Sequence, residues 1–140
     1  MDADRREVIN RKLAMLEQFI ADLGAYETLS QPERRREHYA IERLLQLLCE
    51  AAADIGLQLL RADGYRLATS YQEVFAALRD QGGLPDSLAA DLMDACAMRN
   101  LLTHLYDTID LDRVASAVDA AVELYPRFTA WCRENAGLNQ

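Results

Sequence analysis

Apolar residues recur at helical spacing along nearly the whole chain. Between about Asp4 and Tyr26, Ile9, Leu13, Leu16, Ile20 and Leu23 repeat at spacings of four, three, four and three. Such a heptad-like seam predicts a helix packed in a bundle, with Arg6, Glu7, Glu17 and Gln18 on its solvated side. Ser30-Gln31-Pro32-Glu33 then reads as a helix start: Ser30 caps, Glu33 reaches back, and proline is tolerated in the first turn. The helix that follows is expected to be long, reaching Arg61. From Leu44 it is apolar on most sides, through Leu45, Leu47, Leu48, Ala51, Ala52, Ala53, Ile55 and Leu59. Its polar residues, Glu42, Gln46, Glu50, Asp54 and Gln58, fall every fourth position. A narrow polar stripe on an otherwise apolar helix predicts a central element buried against several neighbours.

Asp63-Gly64-Tyr65 ends that element. Ser70-Tyr71-Gln72-Glu73 is a second capping box, and Tyr71, Val74, Phe75 and Leu78 make one apolar face of a short helix. Gln81-Gly82-Gly83-Leu84-Pro85 breaks the chain again. A further helix begins near Asp86 or Ser87 and ends soon after Tyr106. Ile109-Asp110-Leu111-Asp112 is a joint in which Asp110 caps the last helix and Asp112 complements its N-terminal dipole. That helix carries Val114, Val118, Ala121, Tyr125, Phe128 and Cys132 on its core face up to about Glu134, with Pro126 expected to kink it and Trp131 to anchor its packing. The pattern holds no strand alternation, repeat or low-complexity tract. It predicts a single all-α domain over residues 1–140, an up-and-down bundle of four to five helices.

Composition narrows the function classes. Hydrophobic residues are 51% and charged residues 27% of 140, as in a globular domain. A net charge of −8 argues against a generic nucleic-acid binder, so any RNA contact is local or assisted by a partner. The basic run Arg34-Arg35-Arg36 has two readings: RNA phosphate contact, or a solvated face balanced by Glu33 and Glu37. Cys49, Cys96 and Cys132 are widely spaced, lack zinc-ligand spacing and sit in apolar helical patterns, as small core residues in a reduced cytosol do. Asp107, Asp110 and Asp112 could suggest a metal site, but capping explains them more simply. The amino terminus lacks the apolar region of a signal peptide, and no apolar run is long enough to span a bilayer, so the expectation is a cytoplasmic protein.

The stretch with the most chemistry is Arg99-Asn100-Leu101-Leu102-Thr103-His104-Leu105-Tyr106. Arg99 and Tyr106 are seven apart and share a stripe with Leu88, Leu92, Ala95 and Leu102. An arginine there is costly unless it is paired, lines a cleft or binds an anion. His104 lies on a second stripe, with Met93, Ala97 and Leu101, roughly 140° away from Arg99 on a straight helix. The two groups converge only if the helix bends or ends near Thr103, or if a second copy of the chain completes the site.

Arg99, Asn100, His104 and Tyr106, followed by Ile109-Asp110, resemble the active-site signature of the HepT-like toxins of the HEPN superfamily. The stretch from Tyr39-Ala40-Ile41-Glu42-Arg43 through Asp54-Ile55-Gly56 resembles that family as well. Asp54 could orient a catalytic group there, although completing the polar stripe is the simpler account. The resemblance implies a HEPN-like bundle and a metal-independent ribonuclease without cofactor, working as a homodimer with its motifs facing a shared cleft. The residue types suit that chemistry. RNA brings its own nucleophile, the 2′-hydroxyl. Imidazole exchanges protons near neutrality, and guanidinium holds phosphorane-like charge. His104 and Arg99 are thus the expected catalytic pair, with Asn100 and Tyr106 in support. The resemblance also implies a partner, a minimal nucleotidyltransferase (MNT) antitoxin that transfers AMP to Tyr106. Bulky anionic nucleotides at Tyr106 would fill the cleft and repel RNA phosphates. A non-catalytic companion subunit that binds substrate for a nucleotidyltransferase is the alternative, which the acidic charge favours slightly. A plain dimerising helical scaffold is the third.

Overall fold

The structure, a computed structural model, describes residues 2–64, 68–104 and 110–135, with backbone alone at 101–104. Among these residues the fold is all-α: α1 (Ala3–Gly24), α2 (Gln31–Arg36), α3 (His38–Ala62), α4 (Tyr71–Gly82), α5 (Asp86–His104) and α6 (Leu111–Asn135). The seams read from the sequence face inward. Ile9, Leu13, Leu16 and Leu23 of α1 are buried, as are Val114, Val118, Ala121, Tyr125, Phe128 and Cys132 of α6. Phe128 packs edge-on against Phe75 of α4 and stacks on Trp131, with ring centroids 5.8 and 6.2 Å apart. The last helix continues through Pro126, whose side faces solvent.

α3 is the centre of the bundle and touches all five other helices. Its stripe of polar residues finds partners within the chain. Arg5 and Lys12 of α1 reach Gln58 and Asp54, at 2.8 and 2.5 Å. Glu42, itself buried, pairs with His38 one turn earlier. The closest approach to α4 is at Gly56, where a Cβ would come within 2.5 Å of Val74 Cγ1 and 3.1 Å of Leu78 Cδ1. Only hydrogen fits at that crossing.

The expected long second helix is divided. Glu37 takes φ −94° and ψ 19°, so α2 stops at Arg36 and α3 starts at His38. The two halves serve different neighbours. Arg34 on α2 is buried, 6% exposed, and ties the helix to α6. Its Nη1 donates to the Ala115 carbonyl and to Asp119 Oδ2, each at 3.0 Å. Nη2 donates to Asp119 Oδ1 at 3.0 Å and to the Glu27 carbonyl at 2.8 Å, and Nε to the Leu29 carbonyl at 3.2 Å. Both sequence readings of the basic run therefore fail at Arg34, which is neither solvated nor open to a phosphate. Arg35 stays at the surface, paired with Asp112 at 2.9 Å. Continuing α2 straight into α3 would pull Arg34 away from these acceptors and cost the bonds to them.

The caps at Ser30 and Asp110 form as read, whereas at Ser70 the hydroxyl caps the helix but Glu73 Oε2 accepts from Thr69 N and Oγ1, at 2.9 and 2.6 Å. Ser30 Oγ accepts from Glu33 N at 3.3 Å while Glu33 Oε1 accepts from Ser30 N at 3.0 Å. Hydrogen bonds to the carboxyl from the Ser30 amide, and then from the Ser30 side chain, hold Glu33 below its ordinary range. Asp110 Oδ1 accepts from the amides of Asp112 and Arg113, the cap expected of it. Asp107 lies outside the described residues. All three cysteines are buried free thiols. Two of them meet across α3 and α5, with Cys49 and Cys96 Sγ 3.2 Å apart.

Candidate functional site

The cysteine contact sets what lies beside it. Glu50 follows Cys49 on α3, and Arg99 lies three residues after Cys96 on α5. With the sulfurs in touch, Arg99 Nη2 donates to Glu50 Oε1 at 2.8 Å. The guanidinium carbon also sits 5.2 Å from the centroid of the Tyr71 ring, a cation–π contact. Tyr71 is the first residue of α4, fixed there by the Ser70 cap, whose Oγ accepts from Glu73 N at 3.2 Å. Three helices thus converge on one guanidinium.

The electrostatics are mutually consistent. The hydrogen bond from Arg99 to Glu50 raises the Arg99 pKa further above its already high value, so the cation is permanent. Burial, and then the Glu50 charge, push the Tyr71 phenol up, so it stays neutral and its ring keeps a good cation–π face. Arg99 still keeps 23% of its side-chain surface exposed, which opens onto a cavity of about 310 Å³. Leu57, Ala68, Tyr71, Val74 and Asn100 line the cavity with it.

The sequence-predicted residues fall as follows. Arg99 and Asn100 lie side by side on the cavity wall near the C-terminal end of α5. Arg99 meets two of the conditions set for an arginine on an apolar stripe, being paired and lining a cleft. α5 runs through Thr103 to His104, so the helix does not end before the motif histidine. The side chain of His104 and the whole of Tyr106 lie outside the described residues, and with them the His104–Arg99 geometry. On the second stripe Met93 is half-buried and Ala97 exposed, so that face of α5 remains at the surface of the single chain. Asp54 belongs to Lys12. The carboxylate that meets Arg99 is Glu50, one turn earlier.

Glu50 and Tyr71 were not singled out as site residues in the sequence. The first read as one position of a polar stripe and the second as one position of an apolar face. Their only signal is that a carboxylate and an aromatic ring are what a part-buried guanidinium recruits. Among the described residues no group of three or more His, Cys, Asp and Glu is arranged to hold a metal ion. Nor is any helix among them long and apolar enough to cross a membrane.

Residues 9–130 match the family described as Ribonuclease HepT-like. The chain is 28% identical over 124 residues to the tRNA nuclease HepT of Aphanizomenon flos-aquae, an alignment covering 86% of this chain and 84% of that protein. Its fold matches that of a tri-AMPylated Shewanella oneidensis HEPN toxin in complex with MNT antitoxin. The TM-score is 0.79 at 23% identity, over 93% of this chain and 96% of that one. It also matches the cytosolic protein YutE of Bacillus subtilis, with TM-score 0.70 at 21% identity, over 92% and 91% of the two chains. A family match over most of the length, on an all-helical bundle shared with a HEPN toxin, makes this chain a member of the Ribonuclease HepT-like family.

Proposed function

We propose that this chain is the toxin of a HEPN/MNT toxin–antitoxin pair, a metal-independent endoribonuclease that cuts RNA with Arg99 and His104. The observation that carries the reading is the setting of Arg99. A permanent cation is held by Glu50 and Tyr71 at the wall of a cavity, within the stretch that matches the family. The RNA 2′-oxygen attacks the adjacent phosphorus while the bond from phosphorus to the 5′-oxygen breaks, leaving a 2′,3′-cyclic phosphate and a 5′-hydroxyl. His104 takes up or returns the proton, and Arg99 neutralises charge building on the phosphoryl oxygens. Asn100 orients the phosphate from the neighbouring position. Tyr106 positions RNA, and when the antitoxin silences the enzyme its oxygen attacks the α-phosphorus of ATP, taking AMP as pyrophosphate leaves.

Two copies suit this site better than one. α5 stays helical to His104, and five residues of helix carry Arg99 and His104 to different faces. A homodimer brings one copy's stripe toward the other's. Between α5 and α6 a groove of about 480 Å³, floored by Leu45, Ala95, Met98, Ala117 and Ala121, supplies apolar surface for such a contact. Light scattering at micromolar concentration is expected to report twice the chain mass, and a monomer would contradict this.

The deciding experiment is RNA cleavage in EDTA. Wild type is expected to cut and to leave 2′,3′-cyclic ends, while His104→Ala and Arg99→Ala do neither and keep their helical content. If chelation stops cleavage, or both variants cut at the wild-type rate, the reading is wrong. A chain that binds RNA or nucleotide but never cuts is the companion subunit instead. For regulation, incubation with the MNT partner and ATP is expected to add one or more AMP units to wild type and none to Tyr106→Phe. An unmodified wild type beside an active partner removes the AMP half of the proposal and leaves the ribonuclease half.

A further inference from the structure

The cavity beside Arg99 has a composition unlike the rest of this acidic surface. The chain carries 23 acidic residues and a net charge of −8. Yet among the described residues the lining of this cavity holds one charged side chain, Arg99, and no carboxylate. The α5–α6 groove, by contrast, is rimmed by Asp91, Asp94 and Glu123 as well as by Arg113 and Arg127. The inner walls beside Arg99 are apolar, from Leu57, Ala68 and Val74, and the uncharged polar groups belong to Thr69, Ser70, Tyr71, Gln72 and Asn100. Asn and Gln amides carry a donor and an acceptor side by side, the pattern that pairs with the edge of a base. Single-stranded RNA is read in this manner, by bases splayed from the strand into part-apolar sites. The size agrees. About 310 Å³ lies at the lower end of small-molecule sites, enough for one nucleotide rather than for a length of strand.

We propose that the cavity bounded by Leu57, Ala68, Val74 and Asn100 is a nucleobase subsite. It takes the base of the nucleotide whose phosphate Arg99 grips. The inference rests on the ribonuclease reading for its substrate class, and adds to it the element that selects where the strand is seated. Ala68 and Gln72 are then specificity positions. Gln72 is already steadied, its Nε2 lying 3.5 Å from the Met93 carbonyl. The close helix crossing at Gly56 seats Val74 against α3, beside Leu57, the next residue along that helix.

The test is chemical-shift mapping of the full-length wild-type chain with each of the four nucleoside 3′-monophosphates, beside inorganic phosphate alone. The amides of residues 68–74 and 99–100 are expected to shift with at least one nucleotide, and far less with phosphate. Ala68→Phe, which fills the cavity, is expected to weaken that nucleotide about tenfold, as loss of one seated base would. Shifts confined to another region, none at about 10 mM nucleotide, or an equal response to phosphate overturn the subsite. So does unchanged nucleotide binding by a folded Ala68→Phe. If that variant does not fold, the wild-type map decides alone. RNA cleavage by the wild type is read separately. Nucleotide binding at the mapped residues without cutting upholds the subsite and overturns the ribonuclease, and cutting without such binding does the reverse.

Discussion

Arg34 and Arg99 are both arginines on helices of an acidic chain, and the fold treats them in opposite ways. Arg34 is enclosed, with its guanidinium divided among three backbone carbonyls and both oxygens of Asp119. Arg99 is propped by a carboxylate and a ring yet keeps 23% of its side chain open at a cavity. The same side chain is a clamp where the backbone surrounds it and a tool where it is steadied but left accessible. Basic sequence context points the wrong way here. The residue in the Arg34-Arg35-Arg36 run is the structural one, and the residue among leucines and alanines faces the cavity.

The comparison can be broken by substitution. The largest stability effect is expected at the clamp. Arg34→Ala strips the Glu27 and Leu29 carbonyls of the bonds the side chain gives them and removes a further bond to Ala115, a loss of about 2–3 kcal/mol. For a chain of this size that lowers the melting temperature by about 8–12 °C. Asp119 is mostly exposed and rehydrates, which keeps the loss below that of a fully buried pair. Next comes the wall of the cavity. Gly56→Ala drives a methyl into Val74 across the α3–α4 crossing and is expected to cost about 2 kcal/mol by thermal unfolding. Because Val74 and Leu57 line the cavity, that change is also expected to raise KM for RNA.

The support of the tool comes third. Glu50→Gln keeps a hydrogen-bond acceptor beside Arg99 but removes the charge. Cleavage is expected to fall about tenfold in kcat, equal to about 1.4 kcal/mol, with melting little changed, since the pair is partly solvent-exposed. Glu50→Leu should fall further, and a variant as active as wild type would remove Glu50 from the site. The smallest effect is at the start of α2. Ser30→Ala removes one half of the capping box and is expected to cost about 1 kcal/mol, with no change in cleavage per folded molecule. The partner carboxyl, Glu33, is held low in the folded state. Its contribution is present above the unfolded carboxylate pKa and is lost as pH falls through the lower folded value.

Much of the fold was legible because periodicity reports burial directly. Ile9 to Leu23 and Val114 to Cys132 repeat at 3.6-residue spacing and line the core. The break at Glu37 was not legible, since the polar run from Glu33 to His38 holds no glycine or proline to mark where one helix stops and the next starts. Nor was the burial of Arg34, whose acceptors on α6 are 81 and 85 residues away. The candidate site divides along the same line. Arg99 and Asn100 stand out as a motif with fixed spacing, which one helix carries in its own sequence. Glu50 enters from 49 residues earlier and Tyr71 from another helix. Their roles depend on the Cys49–Cys96 contact and the Gly56 crossing, which set helix register and have no local signature.

The division of labour between the two arginines is tested most directly by measuring melting temperature and RNA cleavage per folded molecule for Arg34→Ala and Arg99→Ala side by side. Arg99→Ala is expected to melt within about 4 °C of wild type, the scale of a part-exposed ion pair. Its cleavage is expected to fall by at least about 100-fold, the scale of a lost charge-stabilising donor. Arg34→Ala is expected to melt about 8–12 °C lower and to cut, while folded, at close to the wild-type rate. Loss of cleavage by a stably folded Arg34→Ala, together with an unimpaired Arg99→Ala, would contradict the account.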